Sequence, residues 1–229
     1  MNDGPGVVVV TGGASGLGAA VARAVAREGG TPVVLDRAKP AGAVEHEIVD
    51  LALPREAEEA TRRVAERHGA LDAVVAAAGT DSCGALGDVP AEEWERVVAV
   101  NLIGNVAVIR AALPFLERAG GRVVTVASTL GLRGFSDATA YCASKFGIVG
   151  FTRALAAETA GRLGVTLLIP GGMETAFFDG RDERYKPPPD AKLNRPDDVA
   201  AAVLFALRQP AGCEVRELLV APSTESSWP

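Results

Sequence analysis

The chain has little of what metal sites and disulfide frameworks are made from. Its 229 residues include three cysteines, Cys83, Cys142 and Cys213, an odd number set far apart. That argues against a disulfide scaffold and shows no metal-ligand spacing. Only two histidines occur, His46 and His68, in segments that read as ordinary strand and helix-end positions, so neither is expected to act in catalysis or to bind metal. Basic runs are short as well. The 23 Lys+Arg are scattered among 29 Asp+Glu, none longer than Arg62-Arg63, and the net charge is −6. Nucleic acid and anionic membrane surfaces are therefore not expected partners. No apolar stretch reaches the roughly eighteen residues of a membrane span. Met1-Asn2-Asp3-Gly4 leads into a strand-like run without the charged-then-apolar pattern of a secretory leader. These features together predict a cytoplasmic protein with reduced thiols.

What is present is apolar and glycine-rich: 48% of the residues are hydrophobic and 26 are glycine. A chain of this length suits one large core, and residues 1–229 read as one domain. Short β-branched runs alternate with helical periodicity throughout. Strands are predicted at Val7–Val10, Pro32–Asp36, His46–Val49, Leu71–Ala78, Arg122–Ala127, Val165–Ile169 and Val215–Val220. Helices are predicted between them, at Gly16–Glu28, Pro54–His68, Ala91–Ala119 with a bend near Gly104, Thr139–Arg162 and Asp197–Leu207. The pattern implies an α/β fold: a doubly wound, Rossmann-type parallel sheet of about seven strands with helices on both faces. Residues 172–193 are charged and proline-rich and follow a strand's C-terminal end, where open α/β sheets place ligands. They are expected to form either a variable surface loop or a lid over a substrate site.

Thr11-Gly12-Gly13-Ala14-Ser15-Gly16-Leu17-Gly18 lies between the first strand and first helix. Glycines there let the backbone approach a pyrophosphate and aim helix N-terminal amides at it. The spacing departs from Gly-x-Gly-x-x-Gly, but the strand–turn–helix context is the required one. Asp36 ends the second strand about twenty residues on. A carboxylate there accepts from a ribose diol and repels a 2′-phosphate, which favours NAD. Arg37 beside it could accommodate that phosphate, which keeps NADP open. Further along, Tyr141 and Lys145 are spaced four apart in a helical segment, one turn from each other on one face. A fixed cation beside a phenol favours phenolate and fits it for proton transfer. Cys142 lies about 100° away around the helix and is expected to pack.

In combination these motifs resemble the short-chain dehydrogenase/reductase family over nearly the whole chain. Thr11–Gly18 is similar to its Thr-Gly-x-x-x-Gly-x-Gly turn, Asp50-Leu51 to its adenine-contacting pair, and Asn101 to its mid-helix asparagine. Ser128, thirteen residues before Tyr141, and Tyr141-x-x-x-Lys145 are similar to its active site, and Pro170-Gly171 with Thr175 to its nicotinamide-amide segment.

The resemblance implies a nicotinamide cofactor held by Gly12, Ser15, Gly16, Leu17, Gly18, Asp36, Arg37, Asp50, Leu51, Ala77, Ala78, Gly79, Tyr141, Lys145, Pro170, Gly171, Met173 and Thr175. It implies Tyr141 as general acid/base and Lys145 as the cation that lowers its pKa and holds the nicotinamide ribose. Ser128 is the implied donor to the substrate oxygen, and Asn101 the holder of a water that links Lys145 to solvent. Ser128, Leu130, Tyr141, Gly172 and Phe177 are expected to face a small alcohol or carbonyl substrate, and a homodimer or homotetramer is expected.

Two departures stand out. The family's Asn-Asn-Ala-Gly appears as Ala76-Ala77-Ala78-Gly79, which predicts a loop short of bracing hydrogen bonds. The ending Glu217-Leu218-Leu219-Val220-Ala221-Pro222, with its tail to Trp228-Pro229, looks more like the branch of 3-hydroxy acid dehydrogenases and carbonyl reductases. The leading expectation is an NAD-dependent dehydrogenase or ketoreductase. The alternatives are an NADPH-dependent carbonyl reductase and a non-catalytic NAD-binding scaffold or sensor.

Overall fold

The computed structural model describes residues 4–225 and 227; Met1-Asn2-Asp3 and Trp228-Pro229 lie outside the described residues. Seven strands form one sheet: β1 Val7–Thr11, β2 Thr31–Asp36, β3 Glu45–Ile48, β4 Ala73–Ala76, β5 Arg122–Val126, β6 Gly164–Pro170 and β7 Glu217–Val220. Their order is β3-β2-β1-β4-β5-β6-β7, and every pairing is parallel. The order reverses between β1 and β4, which opens a crevice at the strand C-terminal ends. Central strands are buried on both faces, as their unbroken Val runs require: Val8, Val9, Val10, Val74 and Val75 are fully buried.

Helices α1 Gly16–Arg27 and α6 Pro196–Leu207 cover one face, with Val21, Val25, Val199 and Val203 packed on Val8, Val10 and Val75. On the other face lie α2 Pro54–His68, α3 Ala91–Val98, α4 Asn105–Ala119 and α5 Thr139–Glu158. There Val64, Ile109, Leu116 and Leu155 pack against Val9, Leu35 and Val123.

The predicted boundaries shift where the site begins. The fourth strand is only Ala73–Ala76, because Ala77 and Ala78 turn beneath Gly12. The bend expected near Gly104 is a π-helical turn, Ala99–Gly104, between α3 and α4. A Cβ on Gly104 would come within 2.2 Å of the Leu51 carbonyl oxygen, so only glycine lets this turn approach the loop before α2.

The expectation about apolar stretches needs correcting. Ala91–Ala119 is one 29-residue helical run long and apolar enough, by length and composition, to cross a membrane. Half of its apolar window is buried inside the protein, where Val108, Ile109, Ala112 and Leu116 form core. The apolar character thus comes from packing against the sheet.

Residues 172–193 form a loop with two short 3₁₀ turns, Ala176–Phe178 and Glu183–Tyr185. Its neck is tied, since Asn194 N donates to Gly172 O and Glu174 N to Asn194 O, each at 2.9 Å.

Candidate active site

The glycine turn is shaped by backbone crowding. Gly12 has φ 69°, and a Cβ there would lie 2.7 Å from Ala78 Cα; one on Gly18 would lie 2.3 Å from Gly12 O. Ser15 precedes α1 in extended conformation and makes no side-chain cap. The first amides of α1 are thus left without a side-chain acceptor, at the positive end of the helix dipole, where an anion binds. Asp36 is fixed across the turn: its Oδ2 accepts from Ala14 N at 3.0 Å and Oδ1 from Ala38 N at 2.9 Å. Arg37 beside it is exposed. Asp50 accepts from Ala52 N and from Arg96, at 2.9 and 2.8 Å. Burial acts to raise its pKa, but these bonds outweigh it and hold the group below the ordinary value. Leu51 sends its side chain into the core, so it offers a ligand backbone only. This set of donors, carboxylates and open glycine floor fits a dinucleotide.

The loop Ala76–Gly79 was expected to lack its braces; the structure supplies them from elsewhere. Thr11 Oγ1 accepts from Ala78 N at 3.0 Å and donates to Asn105 Oδ1 at 2.6 Å. Asn105 Nδ2 donates to Ala78 O at 2.9 Å and Asn101 O at 3.0 Å. One buried amide from α4 thus does the work of the missing loop side chains. Its only signal in the sequence is a polar side chain set in the apolar run Leu102–Ile109.

At the end of β5, Ser128 Oγ accepts from Leu130 N at 3.2 Å, which leaves the hydroxyl proton to be donated elsewhere. Tyr141 lies close by: burial pushes its phenol up to about 12, and the neighbouring Ser128 hydroxyl works against that rise. Lys145 Nζ donates to Val126 O at 2.9 Å and sits 5.5 Å from the Tyr141 ring centroid. Burial lowers Lys145 to about 8, opposed by the Asp81 carboxylate. The expected downward shift of Tyr141 is therefore reversed in this arrangement, because loss of hydration outweighs the neighbouring donor. A Cβ on Gly79 would lie 3.7 Å from both Lys145 Nζ and Asn101 Oδ1, so Gly79 keeps the floor before Lys145 open.

Asn101 also differs from expectation. Its Oδ1 accepts from Thr80 N at 2.7 Å, and Nδ2 donates to Thr80 O at 2.9 Å and Ser144 Oγ at 3.1 Å. The side chain is committed to protein partners, so a bridging water would have to be taken by its backbone carbonyl. Cys142 is buried and packs as expected.

The turn after β6 closes the crevice. Thr175 lies against the glycine turn, its Cγ2 3.5 Å from a Cβ built on Gly16, and Met173 packs on the α1/α6 core. Pro170 and Gly171 are buried at the end of β6, and Gly171 N donates to Val220 O at 2.9 Å. Phe177 stacks obliquely on Tyr141, centroids 5.7 Å apart. Leu130 and Gly172 are half-buried at the same mouth.

Further contributors escaped the sequence reading. Glu225 Oε2 accepts from Gly172 N at 2.8 Å, while Oε1 accepts from Ser227, whose hydroxyl meets Thr129 Oγ1 at 2.6 Å. The C-terminal segment thereby staples the loops after β5 and β6. Asp81 and Arg181, a hundred residues apart, form an ion pair of 3.2 Å beside Phe177. A cavity of about 560 Å³ opens within the lid between Thr175, Phe178, Lys186 and Leu193. It contains none of Ser128, Tyr141 or Lys145, so the converging side chains locate the chemistry better than the cavity does.

Fold and site together define an oxidoreductase of the dinucleotide-fold class. Comparison with known proteins makes this specific. Residues 6–186 match the family model of short chain dehydrogenases, and the chain belongs to that family.

It is 32% identical over 228 residues to an uncharacterised oxidoreductase of Staphylococcus aureus, covering 94% of this chain and 96% of the relative. It is 34% identical over 238 residues to a glycine betaine reductase of Emericella nidulans; the match takes in 96% of this chain but spans only 19% of that larger protein. Among solved structures, an alcohol dehydrogenase of Thermococcus sibiricus complexed with 5-hydroxy-NADP superposes with a TM-score of 0.84 at 28% identity, covering 94% of this chain and 95% of that one.

Proposed function

We propose that the protein transfers a hydride between a nicotinamide cofactor, NAD in preference to NADP, and a small secondary alcohol or ketone. The observation that carries the reading is the convergence of Ser128, Tyr141 and Lys145 beside the open floor at Gly79. A bound nicotinamide supplies the acceptor for the hydride leaving the carbinol carbon. In oxidation, the Tyr141 phenolate takes the carbinol O–H proton as the carbonyl forms; in reduction, the neutral phenol, the form that burial favours, gives it back. Ser128 donates to the same substrate oxygen and steadies its developing charge. Lys145, as a cation near the phenol ring, favours the phenolate as it forms. Asn101 fixes the Thr80 backbone, and with it the wall in front of Lys145.

Asp36 supports NAD, because its carboxylate, held at the end of β2 by the Ala14 and Ala38 amides, would accept from an adenosine ribose diol and repel a 2′-phosphate. The exposed Arg37 favours the second reading, an NADPH-dependent reductase. The Thermococcus relative is complexed with 5-hydroxy-NADP, an NADP derivative, which sits on the side of that second reading. A panel of alcohols and carbonyls followed by NAD(P)H absorbance, run with each cofactor, tests this. Turnover with NAD at higher kcat/KM supports the first reading, and a strong NADP preference overturns that choice. Tight cofactor binding without turnover of any compound returns the scaffold alternative.

The reading includes a cytoplasmic homo-oligomer of two or four subunits. The half-exposed Ile103 and Phe146, on the π turn and on α5, support a subunit contact on that side. A monomer by light scattering at micromolar concentration contradicts the assembly.

A further inference from the structure

The lid carries a guanidinium whose hydrogen-bonding capacity is not used. The Arg181 side chain is 15% exposed, and its Nη2 is buried without a hydrogen-bond partner among the described residues. Such a group calls for an explanation, because buried polar atoms in folded proteins nearly always find a partner. The Arg181 guanidinium sits between two aromatic rings, its Cζ 4.5 Å from the Phe177 centroid and 4.9 Å from that of Phe178. Phe177 in turn packs on Tyr141, so the guanidinium lies one aromatic ring away from the reacting phenol, near enough for its charge to act on it.

Its charge, unlike its hydrogen-bonding capacity, is already balanced. Asp81 Oδ2 lies 3.2 Å from Nη2, close enough for an ion pair but without an aligned hydrogen bond. The Asp81 side chain is only 6% exposed. Its oxygens also accept from Ser82 N at 2.8 Å and the Cys83 thiol at 3.3 Å, which fixes the carboxylate in place. The site thus presents a donor in need of an oxygen, next to an anion that cannot move away. A substrate carboxylate on Arg181 would put two anions on one buried cation, whereas a neutral carbonyl oxygen would satisfy Nη2 without that repulsion.

We infer that Arg181 and Asp81 select substrates with a second, uncharged carbonyl oxygen near the reacting carbon, that is, hydroxy or oxo esters, amides and ketones, and reject the corresponding carboxylates. The inference rests on the oxidoreductase reading. Arg181 is a specificity residue in it: the N–H of Nη2 donates to the second carbonyl, while hydride and proton leave the carbinol as described above.

The test uses methyl β-hydroxybutyrate, β-hydroxybutyrate and a secondary hexanol as probes of similar size. The native enzyme is expected to favour the ester over the hexanol in kcat/KM by about tenfold to a hundredfold, the worth of one hydrogen bond to a charged group. It should favour the ester over the acid by at least tenfold. Arg181→Met should erase the ester's advantage over the hexanol. Asp81→Asn should raise the acid relative to the ester by about tenfold while leaving the ester ahead of the hexanol.

Binding gives a separate readout: calorimetric titration of methyl acetoacetate and of acetoacetate onto the native and Arg181→Met proteins, with cofactor present. Preferential ester binding that Arg181→Met abolishes supports the inference even if no probe is turned over, an outcome that would count against the oxidoreductase reading alone. Equal handling of ester and hexanol, acid preferred over ester, or a uniform loss for all probes in Arg181→Met would overturn it; the last result would reduce the pair to a lid latch.

Discussion

Asn105→Leu tests whether one amide really replaces the missing side chains of the Ala76–Gly79 loop. Leu keeps the branched outline and heavy-atom count of Asn while being bulkier, so the change removes every hydrogen bond without opening a cavity. It leaves the Thr11 hydroxyl without its acceptor and the carbonyls of Ala78 and Asn101 without their donor, all in buried surroundings. Each buried group left unsatisfied costs about 1–3 kcal/mol. Allowing Thr11 to rotate toward another acceptor, the two carbonyls leave an expected loss of about 2–6 kcal/mol, a large part of the ~5–15 kcal/mol that usually separates folded from unfolded states. For a chain of this size that lowers Tm by roughly 10–20 °C. Urea unfolding at unchanged m-value is the assay. The double variant Thr11→Val/Asn105→Leu removes partners together, and its loss should be clearly smaller than the sum of the two single losses. A loss under about 1 kcal/mol in Asn105→Leu, or strict additivity in the pair, would refute the bracing role.

Glu225→Ala should free the Gly172 amide and loosen the turn after β6, weakening nicotinamide binding several-fold as read by NADH titration; unchanged affinity means the staple is ornamental. Asp36→Ala should move the NAD:NADP ratio of kcat/KM toward NADP by at least about tenfold, and an unmoved ratio removes Asp36 from cofactor choice. Lys145 makes stability depend on pH in a definite direction. Its folded pKa is lowered to about 8 from 10.5, so across that window the unfolded chain binds more protons and stability rises with pH. Above pH 9, Cys83, raised from 9.0 to about 11, acts in the opposite sense, and so does Tyr141 above pH 10. The rise should therefore be visible between pH 8 and 9 in urea midpoints and absent in Lys145→Met. A flat wild-type profile there would show that Lys145 keeps an ordinary pKa.

Much of this was legible in the sequence, because the informative signals are local. Four successive valines at Val7–Val10 mark a strand, and Val8–Val10 are buried as a central strand requires. The glycines at 12 and 18 mark places where backbone meets backbone. Tyr141 and Lys145 announce themselves by helix spacing. What escaped was set by tertiary distance. Nothing near Asp81 in the sequence points to Arg181, and nothing near Gly172 points to Glu225; the topology brings each pair together at the sheet's C-terminal edge. The loop Ala76–Gly79 was misjudged for a related reason: its braces come from β1 and α4, not from its own side chains. The sign at Tyr141 was missed because spacing reports a neighbour's charge but not how much water the fold removes.

The central claim is that Tyr141 moves the proton that accompanies hydride transfer. The most direct measurement is single-turnover reduction of NAD by the best alcohol of the panel, comparing native protein with Tyr141→Phe at matched cofactor saturation. The account predicts a fall of roughly two to four orders of magnitude in the hydride-transfer rate, the scale of a lost general acid/base, with NADH affinity nearly unchanged. A Tyr141→Phe rate within a few-fold of the native rate would contradict it.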